Sequence, residues 1–180
     1  VLIEEESHRA LPGAKGRSGL VSPKRQPSLW SGRPSPSFYR QVGILASQDQ
    51  AAAVRRIREW PFVDPARVGS WGWSGGGRMT LDALFRHPDL YSTGMAVAFV
   101  RDQRLYDTIY QERFMARPED NPEGYRLGSP ITFADQLKGN LLIVHGTGDD
   151  NVHYQSAERL IDALVKAKKR FTMMAYPNRS

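Results

Sequence analysis

Gly72-Trp73-Ser74-Gly75-Gly76 is the stretch where a nucleophile is best placed. A serine hydroxyl attacks a carbonyl only when a base takes its proton and a donor meets the oxyanion that forms. The spacing Gly-x-Ser-x-Gly fits a nucleophile elbow: a strand ends, the serine sits on a sharp turn, and a helix begins. The neighbours must be small for the chain to turn so tightly. The N–H of Gly75, at the start of the helix, then faces the oxyanion. Gly and Ser also build ordinary turns, so the flanks decide. Arg67-Val68-Gly69-Ser70-Trp71 reads as a short buried strand. Arg78 to Arg86 reads as a helix with Met79, Leu81, Ala83, Leu84 and Phe85 supplying its apolar face, and Pro88 ends it.

An acid and a base must complete the constellation. Leu141-Leu142-Ile143-Val144-His145 reads as a buried strand that ends in Gly146-Thr147-Gly148-Asp149-Asp150-Asn151. Ligands of open parallel sheets bind beyond the carboxyl ends of the strands, so Asp149 and Asp150 share a rim with Ser74. A serine, an acid after a later strand and a histidine after the next strand is the order of one known triad. Here the next strand is Phe171 to Tyr176, and the sequence stops at Ser180 before such a histidine. His8 lies in an irregular start. His87 sits at a helix end before Pro88, where a histidine is commonly solvated. His145 ends a strand and reads as buried and hydrogen-bonded. His153 is nearest the rim, four residues past Asp149. None is favoured as the general base. The spacing of His145, Asp149 and His153 fits no zinc motif, so neither metal nor cofactor is expected.

The elements around these residues alternate. Ser47 and Gln50 read as a capping box for a helix from Asp49 to Trp60, with Ala53, Val54, Ile57 and Trp60 on one face. Asp64-Pro65 turns into the strand at Val68. Thr93 to Val100 reads as a buried strand, Tyr106 to Arg113 as a helix whose aromatics default to core, and 117–130 as a loop. A helix with Ala157, Leu160, Ile161, Leu164 and Val165 on one face follows the acid loop. The pattern is α/β.

Composition sets bounds. The 180 residues contain no Cys, so disulfides and thiolate metal sites are excluded. No run of about 18 apolar residues predicts a membrane span. Net charge is +6, and residues 1–40 carry seven basic against three acidic groups, so most of the excess is local and no nucleic-acid face is expected. Residues 1–37 mix five prolines with Ser and Gly, show no periodicity, and are expected to be largely disordered.

From about Tyr39 to Ser180 the sequence resembles the catalytic domain of the dipeptidyl peptidase IV branch of the prolyl oligopeptidase family. The resemblance rests on Asp64-Pro65-Ala66-Arg67-Val68-Gly69, Gly72-Trp73-Ser74-Gly75-Gly76, Gly94-Met95-Ala96-Val97-Ala98, Tyr106 through Met115, and His145 through His153. It implies an α/β-hydrolase fold, a mostly parallel sheet with helices on both faces, incomplete at both ends, with 38–180 a partial catalytic domain. It also implies serine peptidase chemistry that releases N-terminal dipeptides with Pro or Ala second. By motif, Ser74 is the nucleophile, the Gly75 N–H an oxyanion donor and Asp149 the acid. Asn151 binds a substrate carbonyl, and Val100, Tyr106, Tyr110 and Val152 form a small apolar pocket for the proline ring. Peptide is then the partner, together with a β-propeller domain absent from this chain and, as often in the family, a second copy in a homodimer. Family members are often periplasmic, secreted or membrane-anchored.

Several residues depart from the pattern. Gly75 stands where many members have Tyr, which loosens a pocket wall, and Phe99 and Gln103 replace a common Pro and Trp. The upstream oxyanion Tyr is not found, 1–37 match poorly, and the triad His is expected just past Ser180. The 180 residues alone are therefore expected to be inactive. An esterase or acylaminoacyl peptidase on the same fold is the alternative enzyme, and a non-catalytic hydrolase-fold binding domain the alternative outside catalysis.

Overall fold

The computed structural model describes residues 2–5, 19–21 and 39–180, the first two segments as main chain. Among the described residues, six parallel strands form one sheet in the order β2-β1-β3-β4-β5-β6. Their ranges are β1 Leu2–Glu5, β2 Gly19–Val21, β3 Gly69–Trp73, β4 Thr93–Val97, β5 Asn140–Gly146 and β6 Thr172–Tyr176. Every pairing is parallel, and the register aligns Trp73 with Val97 and Val97 with Val144. The carboxyl ends of β3, β4 and β5 therefore lie on one edge.

The expectation of disorder over 1–37 is corrected for β1 and β2. Seven residues too short to show periodicity are held because β1 pairs with β2 on one side and β3 on the other. Parallel pairing is settled by neighbours distant in sequence, which local composition does not record. The remainder of 1–37, His8 included, lies outside the described residues.

Helix α1 spans Ile44–Ile57 rather than Asp49 to Trp60. Ser47 is inside it, buried, and its hydroxyl donates back to the Ile44 carbonyl at 3.1 Å instead of capping. Ala51, Val54 and Ile57 face the core, while Ala53 and Trp60 are exposed. Helix α2, Gly75–Arg86, is buried along most of its length, and Met79, Leu81, Leu84 and Phe85 are at most 2% exposed. A helix buried nearly all round belongs at the centre of a fold, and its buried Asp82 is paired with Arg78 and Arg86. It packs on β3, β4 and α1. Gly77 permits this, because a Cβ there would stand 2.7 Å from the Val97 carbonyl oxygen.

Helix α3 is Thr108–Met115, capped by the Asp107 carboxylate, which accepts from the Tyr110 N–H at 2.7 Å. The stretch 117–130, expected as loop, contains helix α4, Pro122–Gly128. Asn121 caps it and Pro122 opens it, a start signal visible in the sequence. Helix α5, Gln155–Lys166, buries Ala157, Leu160 and Leu164 and leaves Val165 exposed. One core unites α1, α2, α5 and the central strands, and a smaller cluster of Val42, Phe114, Met115 and Tyr125 ties α3 and α4 to residues near 42. Among the described residues no helix is long and apolar enough to cross a membrane.

Candidate active site

Ser74 connects β3 to α2 at φ 54 and ψ −117. A left-handed φ in a non-glycine residue costs roughly 1–3 kcal/mol and persists only where its surroundings impose it. They do so here: the Ser74 N–H donates to the Val97 carbonyl at 2.9 Å, and its carbonyl accepts from the Arg78 N–H at 3.0 Å. Both bonds fix the turn. Ser74 occupies the N-cap position of α2, yet its side chain makes no cap hydrogen bond. The hydroxyl is thus not spent on the helix. Gly75 is the first helical residue, where N–H groups lack acceptors within the helix. A Cβ on Gly75 would meet nothing within 4 Å, so this side of the serine is open.

A cavity of about 310 Å³ lies against Ser74 and Gly75, walled by Val100, Tyr106 and Tyr110. The structure therefore gathers these five sequence-predicted residues around one space. β4 ends at Val97, short of the expected Val100. Ala98 turns the chain at φ 43, which brings Val100 to the cavity instead of leaving it in the sheet. Tyr106 and Tyr110 meet edge to face at 5.9 Å, and Tyr110 meets Phe114 at 4.8 Å. Tyr110 is 40% exposed and Ile109 is 86% exposed, so this helix face is cavity wall and surface, and only Phe114 is core. Burial pushes the Tyr110 phenol upward, against the pull of Arg78.

Asp149 follows β5. Two parallel ladder spacings separate β5 from β3, about 10 Å, which puts the acid loop on the same rim as Ser74. Asp149 Oδ1 accepts the N–H groups of Asn151 at 3.0 Å and Val152 at 2.8 Å. Asp150 makes neither bond. Asn151 reaches the cavity wall through its Oδ1, which accepts from the Tyr106 hydroxyl at 3.2 Å. Val152 is buried beneath the loop and does not line the cavity.

The four histidines separate clearly, apart from His8. His145 is buried between the rings of Phe99 and Tyr154, and its Nε2 donates to the Val152 carbonyl at 2.7 Å. That proton is committed, as expected of a structural residue. Asp149 Oδ2 lies 3.5 Å from the same nitrogen. His87, expected to be solvated, is half-buried at the far end of α2 from Ser74, and burial lowers its pKa. His153 is exposed. Among the described residues no three potential ligands gather to hold a metal ion.

Three cavity residues escaped the sequence reading of the site: Val42, Arg78 and Gln111. Arg78 follows Ser74 by four positions and so shares its helix face, a signal the spacing contained. Gln111 is adjacent to Tyr110 on α3. Val42 comes from a distant segment with no local signal. Gln103, noticed only as a substitution, is 1% exposed and lines the same cavity.

Residues 36–180 match the Prolyl oligopeptidase family. The chain belongs to that family. Its similarity to a protein named "Probable dipeptidyl-aminopeptidase B" from Metarhizium robertsii is 47% identity over 127 residues, covering 69% of this chain and 14% of that one. Prolyl endopeptidase FAP of Mus musculus is 39% identical over 147 residues, covering 80% and 19%. The crystal structure of Porphyromonas gingivalis dipeptidyl peptidase 4 superposes with a TM-score of 0.78 at 47% identity, covering 79% and 20%. The prolyl oligopeptidase match and this superposition make the sheet an α/β-hydrolase fold, present in part. The chain spans about a fifth or less of the length of these relatives.

Proposed function

We propose that this chain is the nucleophile-bearing part of a serine peptidase that releases dipeptides from peptide N-termini. One observation carries the reading: Ser74 is held in a strained turn with an uncapped hydroxyl, at a helix start, against a cavity. Attack by Ser74 Oγ on the scissile carbonyl forms the acyl-enzyme, and the Gly75 N–H meets the oxyanion. Asp149 orients the imidazole that takes the Ser74 proton. That imidazole comes from the segment after β6.

The main chain supports that last role. Thr147 N–H donates to the Tyr176 carbonyl at 2.9 Å, Gly148 N–H to the Arg179 carbonyl at 3.1 Å, and Asn178 N–H to Thr147 Oγ1 at 3.0 Å. Residues 176–179 therefore run along the acid loop, and a histidine soon after them falls beside Asp149. Tyr106 and Tyr110 wall the pocket for the second substrate residue, and Asn151, bonded to Tyr106, is placed to meet a substrate carbonyl. The family resemblance implies Pro or Ala as accepted second residues, and a propeller domain and a second copy as partners.

The test is hydrolysis of dipeptidyl anilides, Ala-Pro and Ala-Ala first, by a chain extended to the length of its relatives. Release of intact dipeptide, lost in Ser74→Ala, supports the reading. Cleavage of p-nitrophenyl acetate without any dipeptide release would assign an esterase instead.

A further inference from the structure

His145 is a buried titratable residue that the proposed triad does not use. It stands at the end of β5, four positions before Asp149. Its side chain is fully buried, and that of Asp149 is 8% exposed. The rings of Phe99 and Tyr154 meet the imidazole edge to face, each at 5.7 Å between centroids, and limit its rotation. Its Nδ1 has no partner, so the ring makes its polar contacts through Nε2. Nε2 donates to the Val152 carbonyl at 2.7 Å, and a carbonyl only accepts, so the proton is on that nitrogen. The N–H of the same Val152 donates to Asp149 Oδ1 at 2.8 Å. Val152 is therefore held twice, at its carbonyl by His145 and at its N–H by Asp149. Asp149 Oδ2 lies 3.5 Å from Nε2, so the same N–H also stands beside the second carboxylate oxygen. Buried polar groups left unmatched are costly, so these contacts hold as a unit.

We infer that His145 is a positioning residue for the triad acid. The inference rests on the proposed reading of Asp149 as that acid. Through Val152, His145 fixes the loop that bonds Oδ1. Through its own N–H it fixes the side on which Oδ2 stands. The triad imidazole then meets a carboxylate that is not free to turn. This matters most once that imidazole is charged, because a nearby carboxylate favours the charged form. His145 itself relays no proton, since its Nε2 proton is already bonded to the Val152 carbonyl. A purely structural role would cost stability and leave each folded molecule fully active.

The experiment uses the extended chain, Ala-Pro anilide and two variants, with thermal melts giving the folded fraction. His145→Gln keeps an N–H at similar reach, and His145→Leu removes it. Per folded molecule, His145→Leu should lower kcat by about ten-fold with little change in KM, and His145→Gln should restore most of it. In His145→Leu the acid limb of the kcat/KM profile should also move to lower pH. A triad imidazole with a misplaced carboxylate holds its proton less well. In an Asp149→Asn background the same Leu substitution should cost little further, because the two act through one contact. An unmoved acid limb in His145→Leu, or equal losses with and without the Asp149 carboxylate, would overturn the positioning role alone. If His145→Leu does not fold, His145→Gln decides: near-parent kcat supports the role, and a ten-fold loss in the folded variant overturns it. An unsubstituted extended chain with neither fluorophosphonate labelling of Ser74 nor dipeptide release would overturn the peptidase reading, and this inference with it.

Discussion

Asp149 Oδ1 accepts the main-chain N–H of Val152 at 2.8 Å. One carboxylate oxygen thus holds the loop, and the other, 3.5 Å from His145 Nε2, is the one the proposed triad imidazole would meet. An amide oxygen can keep the loop bonds but cannot stabilise a charged imidazole. In the extended chain, Asp149→Asn should therefore lower kcat by about four decades with little change in melting temperature. Asp150→Asn should leave kcat within a few-fold. A larger loss at Asp150, measured on the same dipeptidyl anilide, would move the acid by one position.

Tyr110 touches both Tyr106 and Phe114 and walls the cavity. Tyr110→Ala should reduce kcat/KM on dipeptidyl anilides by about 10- to 200-fold, the worth of an apolar pocket contact. Hydrolysis of p-nitrophenyl acetate, which does not fill the pocket, should fall much less. Equal losses on both substrates would make Tyr110 a residue of the scaffold.

Arg101 is 1% exposed, and its Nε and Nη2 have no hydrogen-bond partner. Its nearest carboxylate oxygen, on Asp102, is 4.0 Å from Nη1. Burial brings its pKa down to about 10, although Asp102 pulls the other way. Holding the charge there costs on the order of 3 kcal/mol. Arg101→Met should therefore raise the melting temperature by several degrees, since an apolar side chain of similar length removes a buried, poorly paired cation. A clear drop in melting temperature would show that the guanidinium is well satisfied.

His87 carries a pH dependence. Burial lowers its pKa, with Arg55 and Arg86 adding to the shift and a hydrogen bond with the Ser47 main chain opposing it. The folded value is thus below the unfolded value of about 6.5. The unfolded chain binds the proton first, so stability is full above that pH and declines as pH falls toward the folded value. Thermal melts between pH 7.5 and 5.5 should show this decline, and His87→Gln should lessen it. An unchanged slope in the variant would contradict the assignment.

The sequence made the site legible where chemistry depends on local order. The placement of Ser74 and Gly75 at a strand-to-helix turn and of Asp149 in a strand-end loop is legible because both features are written in consecutive residues. Helix α4 starts at Asn121-Pro122, a signal that the prolines and glycines around it mask. Strands β1 and β2 were not legible, because three or four residues become a strand only when β3 is alongside. The polar side of the cavity was hidden for a similar reason. Gln103 and Gln111 come from separate segments, and nothing local to either shows that both residues line the same space.

The central claim is that Ser74 is the nucleophile, and covalent trapping tests it most directly. The extended chain is treated with a fluorophosphonate, digested, and the modified peptide sequenced by mass spectrometry. The account predicts a single adduct on Ser74, formed in step with loss of dipeptide release, and no adduct in Ser74→Ala. An adduct on another serine, or undiminished turnover by Ser74→Ala, would contradict it.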